Sequence, residues 1–158
     1  MLAHLKGDAT RSGCQPPTSR SRILVICPIE SHAHPAVGQY GLFAAKKIPP
    51  RTFLLDYLGE VHCEERASDY DLSLYRSNEG TNIGIDARFM GNEARFINDF
   101  RGISDRPNAF FVDRRTDSGE LRMSVWSGKE GIKKGSEVVV TYGKSWWSSR
   151  IMAPREEL

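Results

Sequence analysis

Residues 109–114 and 121–126 are rich in aromatic and branched side chains and flank Asp117-Ser118-Gly119, and no other stretch limits the fold as tightly. Asp and Ser bond their local backbone and Gly tolerates positive φ, so the three together make a hairpin turn. Leu121, Met123 and Val125 alternate with Arg122, Ser124 and Trp126, the period of a strand with one buried face. More strand candidates, short and bounded by Gly or Pro, lie at 22–26 before Pro28, at 41–45 and 52–57 around Pro49-Pro50, and at 137–141. Short strands joined by such turns predict a mostly β fold with short helices.

Elsewhere the pattern is weaker. Residues 1–21 are polar with Pro16-Pro17 and are expected to form a flexible arm, because they offer too little apolar surface to offset ordering. Residues 64–76 turn acidic and mixed, and are expected to be a helix or an irregular insert. One helical turn is expected at 93–97, capped by Asn92, and a short helix at 146–152, stopped by Pro154. At 158 residues the chain is long enough for one hydrophobic core, expected over 22–154 with an aromatic tail from 144.

Composition excludes more than it selects. A formal charge of +2 makes no case for nucleic acid, whose binders carry a clustered basic excess. No apolar run approaches the roughly 20 residues that span a bilayer, and residues 1–6 lack a secretory core. The three cysteines, odd in number and far apart, suggest no disulfide framework, so an intracellular protein is expected. Cys27, His32, His34, His62 and Cys63 do not follow a standard zinc spacing, and Pro28 and Pro35 suit a loop. Ordinary loop histidines are expected there, with no metal.

Read in order, Gln39-Tyr40-Gly41 before Leu42-Phe43-Ala44, Tyr57-Leu58-Gly59, Arg95-Phe96-Ile97-Asn98, Pro107-Asn108 and Thr141-Tyr142-Gly143 resemble the core of the SET-domain protein lysine methyltransferases. The resemblance implies the SET (β-clip) fold with a threaded C-terminal pseudoknot, and S-adenosylmethionine as cofactor. It places Gln39, Tyr40 and Gly41 in a loop that wraps the cofactor through its backbone, with Gln39 where the family usually has a first glycine. Tyr70 matches a cofactor-contacting tyrosine of some members. Arg95 and Phe96 would flank the cofactor, and Asn98, with both donors and an acceptor, suits its amino acid part. The family's next residue is His, and here Asp99 stands there. A carboxylate cannot donate as imidazole does, which leaves the usual backbone anchoring an open question, although a negative charge beside a sulfonium is not repelled. Tyr142 matches the catalytic tyrosine, while Tyr57, Phe111, Val140 and Tyr142 would line the lysine channel, Tyr57 with a catalytic share.

The chemistry implied is an in-line displacement, in which alignment supplies much of the rate. An apolar aromatic channel lowers the pKa of a lysine from about 10.4 and so exposes its lone pair. Tyr142 would orient amine and methyl through hydroxyl and carbonyl contacts, with no strong side-chain base. The given residues hold no cysteine after Cys63, so the cysteine-rich segment of many members is not expected among them. Lys144 to Arg150 resembles instead the aromatic tail of small stand-alone members, where Trp146 or Trp147 would cover adenine or channel. Val140 and Phe111 suggest a roomy channel and multiple methylation. By family analogy the expected partner is a protein lysine, most readily a histone tail, and the expected location is the nucleus. Neither membrane nor nucleic acid is expected, and the protein would be a monomer or homodimer. The rival reading is a SET fold that has lost catalysis and serves as a binding module.

Overall fold

The computed structural model describes residues 23–143. The expected arm and the aromatic tail, including Trp146 and Trp147, lie outside the described residues. Strand β1 (Leu24–Pro28) pairs antiparallel with β2 (Tyr40–Ala44), Leu24 facing Ala44 and Pro28 facing Tyr40. Pro28 therefore ends the strand from within it, a position where a missing N–H interrupts little. Cys27 on β1 is disulfide-bonded, whereas Cys63 is free and exposed; wide cysteine spacing carried no sign of that bond.

The hairpin forms as expected, with β8 (Ala109–Arg115) against β9 (Leu121–Ser127) and Gly119 at φ 83° in the turn. Strand β3 (Phe53–Asp56) pairs on the other side of β9, giving the order β3-β9-β8. That central position overrides the simple alternation. Ser124, expected on the wet face, is fully buried, because it donates to Asp56 (2.7 Å) and accepts from Arg114 (2.8 Å). A buried polar side chain is tolerated when it is bonded in this way.

A second three-stranded sheet has the order β4-β6-β5, built from β4 (Glu60–His62), β5 (Asp71–Arg76) and β6 (Asn82–Asp86). The expectation of a helix or irregular insert at 64–76 is thus corrected: its second half is a strand. Leu72 faces Ile85 across the ladder, and that cross-strand packing is invisible to local pattern. His62 is buried and bonds Asp71 (2.7 Å) and the Glu64 carbonyl (2.8 Å). Asp86 holds the sheet to the loops. Burial alone would raise its pKa, but Ser68, the Arg88 N–H and Arg66 outweigh burial and leave it below the usual value. A lowered carboxyl pKa stabilises the fold above the unfolded value and is lost as pH falls through the folded one. Asp86→Asn should therefore flatten the loss of stability below about pH 4, as read from urea midpoints across pH; parallel acid limbs would refute this.

Between the sheets, Glu93–Phe96 forms a 3-10 turn, one residue shorter than the helical turn expected. Asn92 does not cap it through its side chain. Its amide instead donates to the Asp56 carbonyl (2.8 Å) and accepts from the Leu58 N–H (3.3 Å), pinning the segment that carries Tyr57. Last, β7 (Asn98–Asp99) pairs in parallel with β10 (Val139–Val140). The strand expected at 137–141 is cut to these two residues, with Glu137 reaching Phe43 by a single bridge. Leu42, Val125, Val138 and Val140 are sealed at the centre, each worth about 1.5–3 kcal/mol of burial. No helix among the described residues is long and apolar enough to cross a membrane.

Candidate functional site

The parallel β7–β10 pairing sets Tyr142 over residues 97–99. Its N–H donates to the Asp99 carboxylate (2.8 Å), and its hydroxyl donates to the Ile97 carbonyl. Asp99 also accepts from the Arg101 N–H (3.0 Å) and guanidinium (2.9 Å). Asp99 thus anchors the backbone by accepting where an imidazole would donate. Burial, then the neighbouring Tyr57 and Asp99, pushes the Tyr142 pKa well above the ordinary phenol value. The hydroxyl stays protonated at neutral pH and acts as an oriented dipole.

This anchoring is testable. Asp99→Ala leaves two backbone N–H groups without their acceptor, a loss of about 1–3 kcal/mol. At about 2–4 °C per kcal/mol for chains of this size, thermal melts should fall by several degrees, and Asp99→Asn, which keeps an acceptor, should fall less. A wild-type melt for Asp99→Ala would remove Asp99 from the argument.

Asn98 is positioned from the other side. Its Nδ2 donates to Glu137 (2.7 Å), and the other Glu137 oxygen meets His34 Nε2 at 2.8 Å. His34 Nδ1 accepts from the Ala36 N–H (3.0 Å), so the ring proton lies on Nε2 and points at Glu137. The amide of Asn98 is thereby oriented, and its oxygen accepts no bond from any described residue. Gly41 makes room for this carboxylate: a Cβ there would lie 2.7 Å from Glu137 Oε1. Its lack of a side chain thus serves Glu137. Asn108 holds the same strand by donating to the Glu137 carbonyl (2.7 Å) and accepting from Val139 (2.9 Å).

The remaining candidates form an aromatic wall. Tyr57 is buried, stands edge-on to Phe111 at 6.1 Å, and donates to the Tyr70 carbonyl (2.7 Å). Burial and then Asp86 push its pKa up. The Arg95 guanidinium lies 4.5 Å over the Tyr70 ring and 5.5 Å from Phe96, and its Nε is buried without a partner among the described residues. Tyr40 meets Phe96 edge-on at 6.1 Å but is itself half exposed. Gln39 is exposed and engages through its backbone, accepting from Ile29 (2.8 Å). Val140 is wholly enclosed in the core.

Sequence reading missed His34 and Glu137. His34 stood as an ordinary loop histidine and Glu137 as a strand residue, yet their contact joins positions 103 apart. His62 is likewise a buried, bonded group rather than a loop residue.

A family profile for the SET domain matches residues 39–143. The chain is 37% identical over 111 residues to a histone-lysine N-methyltransferase, H3 lysine-36 specific, of Debaryomyces hansenii, covering 65% of this chain and 14% of that protein. It is 30% identical over 112 residues to the human histone-lysine N-methyltransferase EHMT1, covering 68% and 8%. It is also 30% identical over 131 residues to the human inactive histone-lysine N-methyltransferase 2E, covering 77% and 7%. The chain spans no more than 14% of the length of these relatives.

Proposed function

The chain belongs to the SET-domain family, and from that premise we propose that it is an S-adenosylmethionine-dependent protein-lysine N-methyltransferase acting on a histone tail in the nucleus. One observation carries the reading: Tyr142 is held at both its amide and its hydroxyl by residues 97–99, beside an Asn98 whose amide oxygen is oriented and available. A zwitterionic amino acid fits that segment. Asn98 offers an acceptor for an ammonium, and Arg95 carries a buried Nε–H without a partner among the described residues, with the sign to meet a carboxylate. The cofactor supplies a methyl group on a sulfonium.

The chain's own residues do the rest. Tyr57, Phe111 and Tyr142 exclude water from the lysine side chain and favour its neutral form. Tyr142 orients the amine by its hydroxyl, and the amine proton leaves through water, since the nearby carboxylates are engaged, Asp99 by Arg101 and the Tyr142 N–H and Glu137 by Asn98 and His34. Phe111, which lacks a hydroxyl, and Val140, two residues before Tyr142, leave room for more than one methyl. Trp147 is proposed to cover the cofactor.

A catalytically silent binding module is the second reading, favoured by the relative whose name marks it inactive; a non-histone lysine is a third. Transfer of labelled methyl from S-adenosylmethionine to core histones, with cofactor titration on the same sample, separates them. Incorporation supports the histone reading. Cofactor binding without transfer to histones or to a lysate favours the module. Absence of cofactor binding would overturn the methyltransferase reading altogether.

A further inference from the structure

Two loops carry a positive charge that nothing nearby balances. Residues 45–52 connect β2 to β3, and residues 128–138 connect β9 to β10. They are tied side by side: Ile48 and Ile132 exchange both backbone bonds (2.8 and 2.9 Å), Gly135 donates to Ala44 (2.7 Å), and Arg51 donates to Gly128 (3.2 Å). The approach is so close that a Cβ on Gly131 would lie 2.4 Å from the Ile48 carbonyl oxygen. This pairing buries Ile48 and Ile132 and leaves Lys46, Lys47, Arg51, Lys129, Lys133 and Lys134 exposed beside them.

None of these six cations shares an ion pair or side-chain hydrogen bond with another described residue. The two carboxylates within the same loop are already engaged, Glu130 by Arg106 at 2.7 Å and Glu137 by His34 and Asn98. Arg51 holds φ 52°, a left-handed backbone that glycine would adopt at less cost, yet a cation stands there. Such crowding repels itself over the screening length of about 8 Å, so it weakens the fold unless an anion is met. The overall charge of +2 hides the patch, because without these six the rest of the chain would be net negative.

We propose that this paired-loop face docks the phosphate backbone of double-stranded nucleic acid. Five of the six are lysines, which are hydrated point charges on flexible stems without the fixed fork that reads one carboxylate. The buried polar group beneath it, Ser127, is already bonded to Thr52 and Pro49 (2.8 and 2.7 Å) and so does not select a particular anion. Its cations suit a uniform, repeating charge such as duplex phosphate, read without sequence. An acidic peptide would call for arginine forks or apolar anchors to fix it. The inference stands apart from methyl transfer, and its test needs none.

The test is fluorescence anisotropy of the full chain with a labelled random-sequence DNA duplex between about 50 and 200 mM salt. Wild type should bind in the non-specific range of about 10⁻⁴–10⁻⁶ M, with log K falling linearly in log salt. Lys46→Gln/Lys47→Gln and Lys133→Gln/Lys134→Gln should each weaken binding several-fold and reduce the salt slope by about 2, roughly one per lost phosphate contact. Arg76→Gln, an exposed cation of the other sheet, should change neither, and thermal melts establish that all variants fold. Absence of duplex binding, or a slope untouched by both loop pairs, would overturn the proposal. Tighter binding to polyglutamate than to the duplex would overturn it in favour of an acidic polypeptide.

Discussion

Substitution Tyr142→Phe is expected to lower methyl transfer at saturating substrates by about 10²–10³-fold, the usual loss when one preorganised hydrogen-bonding group is taken from a reacting centre. The ring stays against the core, and the amide stays on Asp99. Only the hydroxyl disappears, and with it the bond to the Ile97 carbonyl. That acceptor is left unpaired at about 1–3 kcal/mol, so a modest fall in melting temperature accompanies the loss of rate. The two effects separate by comparing kcat with cofactor affinity from calorimetry, which should move less than about threefold, well under 1.4 kcal/mol.

The same substitution distinguishes an orienting hydroxyl from a base. Burial keeps the Tyr142 hydroxyl protonated far above neutrality. The ratio of wild-type to variant rate should therefore be flat between about pH 6 and 9. A ratio climbing about tenfold per pH unit would mean that the phenolate acts, contrary to the burial. Unchanged transfer at every pH would remove Tyr142 from catalysis.

What the sequence disclosed depended on distance along the chain. The hairpin around Asp117-Ser118-Gly119 was legible because its turn chemistry and its strands are neighbours. The SET-like series was legible because its motifs keep their order. Ser124 was misread because alternation assumes one wet face, and β9 is flanked by β3 and β8 above an Asp56–Arg114 pair joined at 2.8 Å. The strand Asp71–Arg76 was missed because its apolar partners sit on β6, across a ladder whose register local pattern cannot supply. Asp99 was weighed as a lost donor, since residue type reveals what a group can give and not which backbone N–H arrives beside it. His34 and Glu137 were missed for the most physical reason: their contact exists only once β1, β2 and β10 are assembled.

Gly59→Ala should be the most disruptive single methyl in the described fold outside the positive-φ glycines. Gly59 does not take a positive φ, so alanine meets no conformational penalty and the loss is steric. A Cβ would lie 2.5 Å from the Asp86 carbonyl oxygen, 2.7 Å from its carbon and 2.9 Å from the Ala87 nitrogen. All three are backbone atoms, which cannot swing aside as a side chain would. The next residue, Glu60, is already paired with Asp86, and Asp86 is fixed by Ser68 and the Arg88 N–H. The strain must therefore pass back to Leu58, bonded to Asn92, and to Tyr57, bonded to Tyr70. Overpacking of this kind costs about 1–3 kcal/mol and occasionally more, and the upper end corresponds to a melting temperature lower by about 6–12 °C. Gly80→Ala supplies the contrast: its φ is 92° with nothing within 4 Å, so it should lose only about 1 kcal/mol or a little more through backbone preference. If Gly59→Ala melts no lower than Gly80→Ala, the two backbones do not approach as described. If it melts far lower and transfer falls with it, the close approach of 59 to 86 is what keeps Tyr57 in the wall.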